Sequence, residues 1–163
     1  MRKGHKTLAA SVAAVLLIVV LTIVGYRQIQ KGVWAEEAAA ERRALEETPL
    51  VEAEKIVPFY GKELMMVVHG KTESGQPGYA WVTDSEVRFA RADEGVAESF
   101  VRAETIRRQP SADIRRVSLG MYRGWHAWEV LYTAEDGSGQ TRTYYDYYRF
   151  NDGELLETVK LKA

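Results

Sequence analysis

His5, His69 and His126 are the chain's three histidines, and it has no cysteine. Imidazole-based metal binding or base catalysis would have to start from these groups, and none stands at a useful spacing. There is no H-E-x-x-H, no G-x-S-x-G or S-x-x-K to pair a nucleophile with a base, and no G-x-x-x-x-G-K-[ST] loop to cradle phosphate. Without thiols, thiol catalysis and thiolate zinc sites are excluded. His126 reads as an ordinary strand-end or surface histidine. The carboxylates lie where solubility accounts for them, except Glu129, set between Trp128 and Val130. Strand alternation turns it away from those two neighbours, as a solvated or salt-bridged outward group. No catalytic, cofactor-binding or metal-ligating residue is assigned, and no enzyme is expected.

Two clusters suit binding instead. Trp125, Trp128, Tyr132, Tyr144, Tyr145, Tyr147, Tyr148 and Phe150 fall within 26 residues. Alternation sends Trp128, Tyr132, Tyr148 and Phe150 towards a core and leaves Tyr145 and Tyr147 on the opposite face. Exposed tyrosine offers a large rigid contact area to a protein or a glycan. The second cluster places Arg102, Arg107, Arg108, Arg115, Arg116 and Arg123 within 22 residues. Glu98, Glu104 and Asp113 lie close enough to neutralise part of it, so a solvated, ion-paired face competes with contact to an anionic lipid or wall polymer. The candidate interaction residues are therefore Tyr145, Tyr147, Arg107, Arg108, Arg115 and Arg116.

The elements that would position these groups form an α+β pattern stated twice. Residues 30–47 are rich in helix formers with few large apolar residues, which predicts a solvated helical stalk. Thr48-Pro49 reads as a helix restart, with Leu50, Ala53, Ile56 and Phe59 forming one stripe up to Gly61. Strands are expected over 64–69, 79–82 and 86–91, with a turn-rich segment at 71–78. A second helix follows, capped by Asp93 and ending before Pro110. Strands are then expected over 114–121, 127–132, 143–150 and 155–161, with a turn at 135–139. The expected boundaries are 48–91 for the first unit and 92–163 for the second, each a helix packed on an antiparallel sheet.

The amino-terminal end carries a different signal. Leu8 to Tyr26 is 19 residues without a charge, including Leu16, Leu17, Ile18, Val19, Val20, Leu21 and Ile23. As a helix it would reach roughly 28 Å, the thickness of a bilayer's hydrocarbon core. The run ends in Gly25-Tyr26-Arg27-Gln28 and has no small-x-small cleavage site, so an uncleaved signal-anchor is expected, with a stalk over 27–47. Arg2, Lys3 and Lys6 in the tail 1–7 put the amino terminus in the cytoplasm and the rest of the chain outside. Three of the 22 basic residues precede the run, leaving 19 basic and 23 acidic beyond it, a net charge of −4. That balance argues against nucleic acid.

The order of parts resembles a known family. The stretch Phe59-Tyr60-Gly61-Lys62-Glu63 is followed by Val67-Val68 and Gly70, then by Tyr79-Ala80-Trp81-Val82. Later come Trp128-Glu129-Val130-Leu131-Tyr132 and Phe150-Asn151-Asp152-Gly153-Glu154-Leu155-Leu156. This is similar to the YpmB/TseB-like cell-wall elongation regulators of Gram-positive bacteria, whose outer part has two PepSY-like units. The resemblance implies a single-pass extracytoplasmic protein that contacts a membrane-bound penicillin-binding transpeptidase, with no catalytic residues and no cofactor. PepSY-like units also imply peptidase restraint as an alternative, and a glycan-binding module is a third. The chain departs from the pattern at Ala97, where such helices open with Ser or Thr, and at Arg149, where Asp commonly precedes the aromatic.

Overall fold

The computed structural model describes residues 19–22 and 34–161. Val19 to Thr22 are helical; the rest of the expected span 8–26, the tail 1–7 and residues 27–33 of the expected stalk lie outside the described residues. Among the described residues, no helix is long and apolar enough to cross a membrane. The chain divides into two compact units, Met1–Ala39 and Ala40–Ala163. The first helix, α1 (34–47), begins in one and ends in the other.

The larger unit is α+β with two antiparallel sheets. Sheet 1 runs β1 (Leu50–Tyr60), β2 (Leu64–Thr72), β3 (Pro77–Val82) and β4 (Val87–Arg91), paired in that order. After a 3-10 turn at Ala92–Glu94 comes α2 (Glu98–Arg108). Sheet 2 runs β5 (Asp113–Tyr122), β6 (Trp125–Glu135), β7 (Thr141–Arg149) and β8 (Leu155–Lys160), again in sequential order.

The two sheets repeat one plan down to single turns. Ser74-Gly75-Gln76 closes β2–β3, and Ser138-Gly139-Gln140 closes β6–β7. In the first turn Thr72 N donates to Gln76 O at 2.9 Å and Gly75 N to Thr72 O at 2.8 Å. In the second, Asp136 N donates to Gln140 O at 2.8 Å and Gly139 N to Asp136 O at 2.9 Å. Both glycines take the left-handed φ that the loop demands, 77° and 76°. The first strand of each sheet also carries a register shift near its start, between Leu50 and Glu52 and between Ile114 and Arg116.

Residues 50–60, expected as helix, are the strand β1. Two register shifts, at Leu50/Glu52 and Ala53/Lys55, insert extra residues and break the strict alternation. Leu50, Ala53 and Ile56 therefore reach one face at a spacing of three, which imitates a helical stripe. Pro58 is tolerated because β1 is an edge strand, where a missing N–H need not cost a ladder bond. Thr48 starts no helix; its Oγ1 donates to Ala44 O at 2.6 Å and accepts from Leu50 N at 3.2 Å, closing α1 and aiming the chain into β1.

The solvated stalk is corrected as well. Ala40 and Ala44 of α1 are buried against Leu50, Met66, Val68, Ala80 and Val82. Their small side chains let the helix lie close on the sheet, and Arg43 Nη1 donates to Thr83 O. The opposite face of sheet 1 supplies Phe59, Met65, Val67 and Trp81 to a second core, shared with Val101 of α2 and with Leu119, Trp128, Val130, Tyr132, Tyr148 and Phe150 of sheet 2. Sheet 1 is thus buried on both faces, which explains its unbroken apolar runs at 64–68 and 80–82. Each large side chain withdrawn from water contributes about 1.5–3 kcal/mol.

The second helix starts five residues after Asp93. Gly95–Ala97 is held extended by Val96 N donating to Phe150 O at 2.7 Å and Trp128 Nε1 donating to Val96 O at 2.9 Å. Ala97 is the N-cap and makes no side-chain capping bond.

Candidate functional site

The arginine cluster separates into single roles. Arg107 is exposed on α2 and pairs with Glu104 one turn back, at 2.5 Å. Arg115 pairs with its neighbour Asp113 at 2.9 Å. Both are ordinary exposed ion pairs. Arg108 instead turns inward, where Nη1 donates to Oδ2 of the fully buried Asp146 at 2.8 Å. Tyr148 Oη (3.1 Å), Tyr132 Oη (3.2 Å) and Thr158 Oγ1 (2.6 Å) donate to the same carboxylate. Thr105 of α2 completes the set by bonding Tyr148 Oη at 3.0 Å. Burial and the adjacent Asp146 carboxylate hold the Tyr132 hydroxyl well above the usual phenol range. This is a clamp between helix and sheet, and it ties the Arg108 guanidinium to an internal carboxylate while part of the side chain stays in solvent.

Tyr145, Tyr147 and Arg116 do come together, on the side of sheet 2 away from α2. Cross-strand pairing sets Leu131 opposite Tyr145, and Tyr145 opposite Val159. Tyr147 lies between Glu129 and Glu157. Tyr122 joins from the end of β5, its ring stacked on that of Tyr147 at 3.9 Å and 12°. Tyr145 continues the rank, 6.3 Å from Tyr147 and nearly parallel to it. All of these apolar groups are half-buried, and among the described residues no element covers them.

The polar groups on this face are tied down. Tyr147 Oη donates to Glu129 Oε2 at 3.1 Å, and Arg116 Nη2 donates to Glu129 Oε1 at 2.9 Å. Glu129 is therefore the salt-bridged outward residue of the alternation argument, although little of it reaches solvent. Tyr122 Oη donates to Glu157 Oε2 at 2.5 Å, which also pairs with Arg123 at 2.6 Å. Burial, with the Glu129 carboxylate beside it, raises the Tyr147 phenol; the bond to Glu157 raises Tyr122. Both phenols stay protonated at neutral pH and keep donating. The result is a stiff aromatic rank with balanced charges at its sides.

Tyr122 and Val159 are members that the sequence reading missed. Arg123-Gly124 was a usable signal, because a two-residue hairpin there fixes the parity of β5 against β6. His126 is neither exposed nor free: its ring lies flat on Trp81 of sheet 1, 3.9 Å away at 2°. Trp128, Tyr132, Tyr148 and Phe150 are core residues, as alternation required. Among the described residues, no group of three or more His, Asp or Glu side chains is placed to hold a metal ion.

Fold and face together define a two-sheet α+β unit that presents an aromatic sheet surface. A family model described as "Cell wall elongation regulator TseB-like domain" matches residues 39–83. The chain is 28% identical over 149 residues to the Bacillus subtilis (strain 168) protein named "Probable cell wall elongation regulator TseB", covering 88% of each. Among solved structures it is similar to the YpmB protein from Bacillus subtilis, with a TM-score of 0.65 and 27% identity over 76% of this chain and 96% of that one. These findings agree in supporting a YpmB/TseB-like family for the chain.

Proposed function

We propose that the chain is a membrane-anchored regulator of cell-wall elongation that works by binding, without catalysis of its own. In this reading the apolar run at 8–26 anchors it, the amino terminus is cytoplasmic, and the folded unit docks on a membrane-bound penicillin-binding transpeptidase. The regulatory role follows from the relative's name, and the anchor from the charge and hydropathy of the sequence.

The observation that carries the docking is the asymmetry of the two sheets. Sheet 1 is buried on both faces, whereas sheet 2 leaves Tyr122, Leu131, Tyr145, Tyr147 and Val159 without a covering element among the described residues. Tyrosine-rich faces of this kind are favoured at protein interfaces. The ring geometry favours protein over glycan. A sugar stacks on an open aromatic face, but Tyr122 and Tyr147 occupy each other's faces and their hydroxyls are already engaged. Sharing a membrane raises the effective concentration of the two partners, so a weak interface suffices.

The test is photo-crosslinking in intact cells from positions 145 and 159 of the full chain, with partners identified by mass spectrometry. Capture of a penicillin-binding protein is expected. Repeated capture of unrelated proteins alone would sink the reading. Protease added to protoplasts should digest residues 48–163, and protection of that segment would reverse the orientation.

A further inference from the structure

Superposed on their Ser-Gly-Gln turns, the two sheets run in step strand for strand. Val67 pairs with Trp81 where Leu131 pairs with Tyr145, and His69 pairs with Tyr79 where Thr133 pairs with Thr143. At the far ends of these strands, Tyr60 lies opposite Leu64 where Leu119 lies opposite Trp128. Each sheet therefore has a helix-bearing face, which ends in the Tyr60–Leu64 or the Leu119–Trp128 pair. Each also has a reverse face, which carries Trp81 in sheet 1 and Tyr145 in sheet 2.

Within the molecule, one such pair and one reverse face already fit together. The reverse face of sheet 1 receives the Trp128 end of sheet 2. Trp128 meets Tyr79 edge-on at 6.1 Å, His126 stacks on Trp81, and Phe150 meets both of these sheet 1 rings. Leu119 is buried in the same core at 1% exposure. One surface of each kind is left over. Tyr60, in the place of Leu119, is 79% exposed, and Leu64, in the place of Trp128, is 38% exposed. The reverse face of sheet 2 has Tyr145 in the place of Trp81 and Leu131 in the place of Val67. Among the described residues no element covers it.

We infer that the chain associates head to tail with further copies of itself. The Tyr60–Leu64 end of one copy seats on Leu131 and Tyr145 of the next, as the Leu119–Trp128 end seats on sheet 1 within a copy. One contact then accounts for both uncovered surfaces, and it continues an interface that the molecule already builds. Neither side brings a net charge to repel the other. Lys62 and Glu63 balance at the entering end, and on the receiving face Glu129 is tied to Arg116 and Glu157 to Arg123. The two surfaces are unlike, so each added copy leaves the same two ends free and the row stays open. A seated copy also excludes any other occupant of the tyrosine face, which regulates the docking proposed above; this consequence alone rests on that reading.

The chain has no cysteine, so introduced thiols report the contact directly. Lys62→Cys puts one beside the Tyr60–Leu64 end, and Thr143→Cys puts one on the tyrosine face without removing a tyrosine. Differently tagged full chains, one substitution each, are co-expressed and treated in their membranes with a short bis-maleimide. The mixed pair should crosslink about tenfold more than either variant with itself. Leu64→Asp in the first copy, or Val159→Asp in the second, should lower that yield about tenfold with the Tm unchanged, the scale of one lost aliphatic contact. A chain carrying both thiols should give a ladder beyond the dimer. Equal crosslinking of mixed and like pairs, indifference to both aspartates, or a product that stops at the dimer would overturn the inference. Leu64→Asp should also raise capture of the proposed partner from position 145, and unchanged capture would remove the regulation. An intact ladder with no partner captured from position 145 would sink the docking reading and leave the self-association standing.

Discussion

Asp146 has no exposed surface, and Arg108, Tyr132, Tyr148 and Thr158 all donate to it. Removing such a carboxylate leaves a partly buried guanidinium without its counter-charge and takes the acceptor from the buried Tyr132 hydroxyl. Asp146→Ala should therefore cost about 3 kcal/mol, the cost of breaking a buried pair from one side. Denaturant titration of the purified chain measures it, and a loss below about 1 kcal/mol would show that the clamp is not strained by the deletion. Sequence alone could not separate this pair from the surface charges around it. Arg108 sits in a run of arginines, and its partner lies 38 residues away on a strand where alternation says inward but says nothing of charge. Tyr145 and Tyr147 were legible for the converse reason. Parity alone decides their face, and one aromatic strand cannot send every ring to one core. Their partners Tyr122 and Glu157 come from other strands, so only the register supplies them.

At the scale of elements, the strands were readable and the docking of the first helix was not. All strands except β1 follow from alternation or from apolar runs between turns. The first helix was legible as a helix, but its docking on sheet 1 was hidden because its contact surface is alanine, which a search for large apolar residues passes over. Ala44 is fully buried against sheet 1, whereas Ala38 is exposed. Ala44→Leu should then destabilise by about 1–3 kcal/mol through overpacking, and Ala38→Leu by less than about 0.5 kcal/mol. Equal melting of the two variants would return α1 to the role of a solvated stalk. Close approach also joins the sheets. A Cβ at Gly120 of β5 would come within 2.3 Å of the Phe59 ring of β1, and that ring is buried. Gly120→Ala should cost about 1–3 kcal/mol, and the pair Gly120→Ala with Phe59→Leu should recover part of it. Thermal melts of the single and double variants test whether the loss is this contact or the strand itself.

The folded unit holds together through one core that spans both sheets, and two histidines sit in its seam. His126 of sheet 2 is stacked on Trp81 of sheet 1, and His69 of sheet 1 meets Tyr79 edge-on at 5.0 Å. Tyr79 in turn packs edge-on against Trp128 and Phe150 of sheet 2. Burial lowers both imidazoles below the ordinary histidine value. Arg88 pushes His126 the same way while Glu86 opposes it; Lys55 lowers His69 while Glu98 and Glu54 oppose it. A histidine kept neutral in the folded state takes up its proton more readily when unfolded, at about pH 6.5. The unfolded chain therefore binds more protons just below that pH, so stability is full above about 6.5 and falls as pH drops towards the folded values. The full chain in detergent should lose Tm between about pH 7 and pH 5. The double variant His69→Gln, His126→Gln should lose less over the same interval. A wild-type Tm that is flat or rising towards pH 5 would mean that the seam accepts both protons without loosening. A slope shared equally by the variant would place the titration elsewhere.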